Sequence, residues 1–157
     1  MAETELRPDL CNCLAIRQAA RHVTQFYDQF LAPVGLRSTQ FSILAKLKRL
    51  GPIPINELAR ELVMDRTTLG RNILPLEREG LIDIVPARAD RRSKELHLTE
   101  AGAARLKSGI KKWAEAQARF EAELGNRRTV ELRALLKAVT ESDLGGASQA
   151  EAGHGAA

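Results

Sequence analysis

The chain predicts a mainly α fold carrying one small β-hairpin, and three observations support that class. Apolar residues recur at steps of three and four over Leu10–Leu31 and again over Leu106–Leu124, the period of one helix face. Between Asn56 and Gly80 a short helical segment and a longer one lie almost end to end, joined by Val63-Met64. Two short strand-like runs, Leu81–Val85 and Glu95–Leu98, then flank the basic tip Arg88-Ala89-Asp90-Arg91-Arg92.

Each element follows from local chemistry. Residues 1–9 are acidic and polar and are expected to be flexible rather than a signal peptide. In the first helix Ile16, Ala20, Val23, Tyr27 and Phe30 share a face, and Pro33-Val34-Gly35 ends the run. Ser38 or Thr39 is expected to cap a second helix carrying Phe41, Leu44, Leu47 and Leu50, stopped by Gly51-Pro52. Ile53–Ile55 is long enough only for a bridge strand, and Asn56 is the expected cap of a third helix with Leu58, Ala59 and Leu62 inward. Asp65 caps the fourth, whose buried stripe is Leu69, Ile73 and Leu76, with Gly80 ending it. Pro75 inside that helix removes the backbone bond to the Arg71 carbonyl. Thr99 caps a long fifth helix in which Leu106, Ile110, Trp113, Gln117, Phe120 and Leu124 form a coiled-coil-like seam. Gly125-Asn126 breaks it, and a last helix over about 129–141 carries Leu132, Leu135, Leu136 and Val139. The tail, residues 144–157, is small-residue low complexity and is expected to be disordered.

Composition narrows the class without naming a function. The 44% hydrophobic and 28% charged fractions over 157 residues describe a globular chain with enough length to bury a core. No apolar run approaches the ~18 residues of a membrane span, so a cytoplasmic chain without membrane contact is expected. The net charge of +4 permits nucleic acid. Yet residues 54–98 hold eight Lys/Arg against eight Asp/Glu, so any DNA-binding surface there needs its charges segregated onto one face. Opposite the Leu69/Ile73/Leu76 stripe stand Arg66, Thr67, Thr68, Arg71 and Asn72, residue types that pair with base edges in a major groove. Gly70 among them suits close approach to backbone or partner, or is a tolerated helix glycine. Arg91 and Arg92 on the hairpin tip suit a narrow minor groove, with Asp90 placed to hold one of them by a salt bridge.

The order of these pieces resembles the MarR family of winged helix-turn-helix regulators over residues 10–143. The resemblance lies in Ile55-Asn56-Glu57-Leu58-Ala59 and Met64-Asp65-Arg66-Thr67-Thr68-Leu69, followed by Leu76-Glu77 and Gly80-Leu81. It continues in Asp90-Arg91-Arg92 and Leu98-Thr99-Glu100-Ala101-Gly102. It implies a winged helix over 38–98 reading double-stranded DNA, and a helical dimerisation region formed by 10–37 and 99–143. It also implies an Asp90–Arg92 pair with Arg92 in the minor groove, and a homodimer repressing at a pseudo-palindromic operator. The seam from Leu106 to Leu124 independently asks for a partner, being longer than one small winged helix can cover. Trp113 is expected in the core or at that interface.

Two triggers are open. The family commonly takes small phenolic or aromatic-acid effectors in a cleft beside the dimer helices. Arg17, Arg21 and His22 on the first helix, with Phe41 and Ser42 on the second, are the candidates here. The other trigger is redox, since Cys13-Leu14-Ala15-Ile16, Val23-Thr24 and Tyr27 resemble the organic-hydroperoxide-sensing branch. There a cysteine at the Cys13 place is oxidised and a tyrosine at the Tyr27 place bonds to it, although the second sensing tyrosine falls on Ser38. Cys13 lies in the first turn of its helix, where the dipole favours a thiolate; a buried, inert thiol is the simpler alternative. Cys11 and Cys13 do not make a disulfide framework. Metal ligation lacks ligand-like spacing to His22, His97 or His154, and no cofactor motif is present. An enzyme is not expected, because a Cys13–His22 dyad would sit ~13 Å apart along the helix.

Overall fold

The computed structural model describes residues 7–144. Residues 1–6, the tail 145–157 and His154 lie outside the described part. A single 3-10 turn, Pro8–Leu10, precedes α1 (Asn12–Leu31), and another, Ala32–Val34, follows it. Then come α2 (Ser38–Leu50), β1 (Ile53–Pro54), α3 (Ile55–Glu61), α4 (Arg66–Arg78), β2 (Ile82–Pro86), β3 (Lys94–Leu98), α5 (Glu100–Leu124) and α6 (Asn126–Glu141). The strands form one antiparallel sheet in the order β1-β3-β2, with Leu96 opposite both Ile53 and Ile84. The chain divides into two compact units, one up to Ala118 and one from Arg119.

In the first unit a single core joins α2, α3, α4 and the sheet. Ile43, Leu44, Leu58, Leu69, Leu76, Ile82 and Leu96 are all fully buried there. The stripe expected on α4 is the one buried, because Leu69, Ile73 and Leu76 meet this core while the charged residues between them face outward. Two helix starts differ from expectation. α2 is capped from outside: Asp28 Oδ1 accepts the Ser38 N–H at 2.6 Å, and Gln40 Oε1 accepts the Arg37 N–H at 3.0 Å, so Ser38 is the first helical residue. α3 begins at Ile55, one residue before the expected cap Asn56, because Pro54 leaves β1 extended at φ −59° and ψ 144° and feeds the helix directly.

The turn between α3 and α4 is tight. Met64 N–H reaches the Ala59 carbonyl at 2.9 Å, which requires Val63 to adopt φ 51°. That left-handed conformation is unusual for a β-branched residue, and Val63 has no compensating packing, being 75% exposed. At the far side Thr99 joins three elements. Its Oγ1 donates to the Gly80 carbonyl at 2.7 Å and accepts the Gly102 N–H at 3.0 Å, capping α5 as expected. Gly102 lies so close to the Leu81 carbonyl that a Cβ there would overlap it, and Gly109, seven residues on, is packed against Phe41 and Leu36.

In the second unit α6 starts at Asn126, three residues earlier than expected. Gly125 at φ 88° turns the chain back at once, and Thr129 Oγ1 donates to the Gly125 carbonyl at 3.0 Å. Val130, Leu135, Leu136 and Val139 of α6 are exposed.

Candidate functional site

Asp65 organises the start of α4. Its Oδ1 accepts the Thr68 N–H at 2.8 Å and its Oδ2 accepts the Thr68 hydroxyl at 2.6 Å. The Thr68 hydroxyl and then its backbone N–H hold the Asp65 carboxyl below its ordinary value of 3.8. One turn on, Asn72 Nδ2 donates to the Thr68 carbonyl at 2.8 Å. The five candidate base readers thus fall into two groups. Arg66, Thr67 and Arg71 are exposed and make no side-chain hydrogen bond within the described residues. Thr68 and Asn72 are already engaged in shaping the first turns, and Asn72 is half-buried, leaving its Oδ1 to accept.

Two of the eight acids in residues 54–98 are paired by neighbours outside that stretch. Glu61 pairs with Lys46 at 2.9 Å and with Arg49 at 3.8 Å, and the Lys46 hydrogen bond and charge keep its carboxyl below the usual range. Glu79 pairs with Arg105 at 3.3 Å. Meanwhile Arg66, Arg71, Arg91, Arg92 and Lys94 enter no ion pair among the described residues. Glu61 and Glu79 are therefore paired from α2 and α5 while these cations of α4 and the hairpin enter no ion pair among the described residues, which shifts the local balance toward positive charge.

In the hairpin, Asp90 does not meet the Arg92 guanidinium. Its Oδ1 accepts the Arg92 backbone N–H at 2.9 Å, an Asx turn, and Ser93 N–H reaches the Asp90 carbonyl at 3.0 Å. The expected salt bridge gives way because two residues around a tight turn bring the carboxylate onto backbone rather than onto a long side chain. The turn is fixed and the Arg92 side chain is free. A cleft of about 230 Å³ lies between the hairpin and α4, lined by Arg66, Arg92 and Lys94 together with Asn56 and Asp90. Sequence reasoning missed Lys94 and Asn56 here. A basic residue directly following the wing tip was the available signal for Lys94.

A second cavity, about 250 Å³, is lined by Val23, Thr24, Tyr27 and Leu31 of α1, Phe41 and Ser42 of α2 with Ser38, and Trp113 of α5. Of the five effector candidates only Phe41 and Ser42 line it. Arg17, Arg21 and His22 are exposed on α1 and lie outside the lining. Helical geometry accounts for this. Arg17 is on the Thr24 stripe but seven residues earlier, ~10 Å along the axis, and His22 points to the opposite side of the helix. Trp113, expected in the core or an interface, is 38% exposed and stacks on Phe41 with ring centroids 6.2 Å apart and planes 15° apart.

Both cysteines are exposed free thiols. Cys11, not Cys13, caps α1, its Sγ accepting the Leu14 N–H at 3.4 Å, and Cys13 follows in the first turn. Cys13 is therefore not buried within the single chain. Tyr27 donates to Gln117 Oε1 at 2.6 Å and sits ~21 Å along α1 from Cys13, so the two do not meet within one chain. Among the described residues no group of His, Cys, Asp or Glu is arranged to hold a metal, and no helix is long and apolar enough to cross a membrane.

A capped, polar-faced helix set against a three-stranded sheet with a cationic hairpin defines a winged helix-turn-helix, the architecture of DNA-binding transcription regulators rather than enzymes. The model of the MarR family matches residues 36–94. The chain is 32% identical over 112 residues to the uncharacterized HTH-type transcriptional regulator YwoH of Bacillus subtilis, covering 69% of this chain and 76% of YwoH. It is 32% identical over 95 residues to the HTH-type transcriptional repressor NicR of Pseudomonas putida, covering 60% of each. The solved structure of the M. tuberculosis transcriptional regulator MosR in complex with DNA is 36% identical, with a TM-score of 0.72, over 82% of this chain and 96% of that one. The chain belongs to the MarR family of DNA-binding transcriptional regulators.

Proposed function

We propose that the chain acts in the cytoplasm as a homodimeric repressor, each subunit presenting α4 to the major groove and the wing to the flanking minor groove of a pseudo-palindromic operator. The observation that carries this reading is the set of cations that enter no ion pair among the described residues, Arg66 and Arg71 on α4, Arg91 and Arg92 on the wing and Lys94 at its base, of which Arg66, Arg92 and Lys94 line one cleft. Arg66, Thr67 and Arg71 face base edges, Thr68 and Asn72 brace the helix start, and Asp90 fixes the wing turn that aims Arg92. The solved DNA complex of MosR supports the docking, and the repressor NicR supports the sign of regulation.

Dimerisation is supported by apolar side chains left bare in each unit. Leu10, Leu14 and Ile16 at the start of the first unit, Ile110 on α5, and Leu135, Leu136 and Val139 on α6 are all at least 37% exposed. So much surface on long helices is the pattern of a subunit interface. Release is proposed to follow binding of a small aromatic or phenolic effector in the cavity beside Phe41, which changes the separation of the two recognition helices.

Cys13 oxidation is the second reading, favoured by the place of that thiol in the first turn of α1, where it is exposed in the single chain. The test selects a bound duplex from a random pool, then measures its affinity with and without hydroperoxide and aromatic ligands, in wild type and Cys13→Ser. Operator binding with little affinity for unrelated duplexes supports the regulator reading, and equal affinity for all duplexes overturns it. Equal loss of binding on peroxide treatment in both proteins removes the thiol as trigger.

A further inference from the structure

We propose that Leu74 reads a thymine methyl in the bound DNA, adding an apolar contact that determines sequence to the polar face of α4. The inference rests on the reading of α4 as the recognition helix and extends what that helix discriminates.

Leu74 is the large apolar side chain that α4 leaves bare. It is 51% exposed, while Leu69, Ile73 and Leu76 of the same helix are at most 3% exposed. It takes no part in the core that those three enter. The helical period places it among the DNA-facing candidates. Seven residues on from Thr67, it falls within about 20° of Thr67 around the axis. Arg71 precedes it by three residues and Arg78 follows by four, and both are exposed. Leu74 therefore belongs to the stripe opposite the buried one.

Gly70 decides where the leucine surface lies. A leucine in a helix leans back over the residues three and four positions earlier, here Arg71 and Gly70. Gly70 has no side chain to cover it, and nothing among the described residues lies within 4 Å of where its Cβ would stand. The apolar surface is thus carried back to the level of Arg71. Thr67 and Leu74 stand ~10.5 Å apart along the axis, which fits one pass of a helix through a major groove ~12 Å wide.

The surroundings choose the occupant. An apolar protein surface laid on Leu74 would bury the Arg71 and Arg78 guanidinium groups beside it, and Glu77 is the single acid of α4. A major groove accommodates all of them. It offers phosphates and acceptor edges to the arginines and, at thymine, a C5 methyl that takes an apolar contact.

The experiment uses the whole protein and the duplex selected from a random pool. Each thymine is replaced in turn by deoxyuridine, which pairs alike and lacks only the methyl. Affinities are measured by fluorescence anisotropy at one salt concentration for wild type, Leu74→Ala and Leu74→Met. One replacement in each half-site is expected to weaken wild type by roughly three- to tenfold. Leu74→Ala should lose as much on the unmodified duplex and nothing further on the replaced one, whereas Leu74→Met, which keeps an apolar reach, should remain sensitive. Alanine is the stronger helix former and Leu74 lies outside the core, so the variant folds, which circular dichroism checks. Full affinity in Leu74→Ala, or losses that simply add, overturn the proposal. A loss in Leu74→Ala that no deoxyuridine reproduces assigns Leu74 to a protein contact and overturns it too, with α4 still the reading helix. If the pool yields no preferred duplex, the recognition-helix reading fails and the inference with it.

Discussion

Gly102 and Gly70 are both helix glycines, and alanine should have opposite effects at the two. In a helix interior Ala is favoured over Gly by about 1 kcal/mol. At Gly70 nothing in the chain lies within 4 Å of the added Cβ, so most of that gain is realised. Gly70→Ala should therefore raise stability by roughly 0.5–1 kcal/mol, on the order of 1–4 °C in Tm for a chain of this size. At Gly102 the same Cβ overlaps the Leu81 carbonyl oxygen and falls 2.8 Å from Leu98 Cδ1. The carbonyl has little freedom to move, because it also accepts the Thr99 N–H at 3.2 Å. Overpacking costs about 1–3 kcal/mol, and a backbone obstacle places this site at the upper end. After the helix gain is subtracted, Gly102→Ala should lose roughly 1–2 kcal/mol, or about 2–8 °C. The assay is thermal denaturation followed by circular dichroism at one fixed protein concentration, since a dimer's Tm depends on concentration. A Gly102→Ala protein melting at or above wild type would refute the steric argument. A fall at Gly70→Ala would show that something outside the single chain occupies the space beside it.

Other consequences are as direct. Lys94→Gln should lower the slope of log affinity against log salt by about 0.9 if its ammonium neutralises one phosphate, and an unchanged slope would remove the cleft beside the wing from DNA binding. Arg92→Ala should weaken operator binding at fixed salt; unchanged affinity would take the wing out of the interface. Because Thr68 depresses the Asp65 pKa, the cap's ionic contribution is full above the ordinary value of 3.8 and is lost as pH falls through the lower folded value. Asp65→Asn keeps a capping side chain without that titration, so its Tm should fall less than the wild type's below about pH 4, and parallel curves would contradict this. Val63→Gly should relieve the left-handed strain of an exposed valine, worth about 1–2 kcal/mol, against ~0.5–1 kcal/mol of added chain entropy. Urea unfolding should show a small net stabilisation, and a decrease would mean that the valine side chain is packed in the working protein.

The legible parts of the fold were those governed by neighbours in sequence. The α4 stripe, the Asp65 cap and the Thr99 cap each depend on residues three or four positions away, and each appears where the spacing placed it. The cap of α2 did not show, because its acceptor is Asp28, ten residues back on another helix. The pairing of Glu61 and Glu79 was hidden for the same reason, for Lys46, Arg49 and Arg105 are distant in sequence and adjacent in space. Helix periodicity brought Phe41 and Ser42 to the cavity but could not rank Arg17 against Thr24 on one stripe, since depth along the axis is set by where α2 crosses. Trp113 reads as core in a four-three seam, and only the position of Phe41 opposite makes it a cavity wall.

The two notches in α5 give that helix a mechanical character. At Gly102 it is seated on the Leu81 carbonyl, between α4 and β2, at Gly109 on the ring that walls the cavity, and Trp113 lies one turn further along. Arg105, between the notches, grips Glu79 just past the end of α4 and reaches toward the Gly35 carbonyl. Neither notch has slack, because one seat is backbone and the other is the Phe41 ring. The first ten residues of α5 are thus keyed at two points, and that stretch has no room to slide or turn on the body of the first unit.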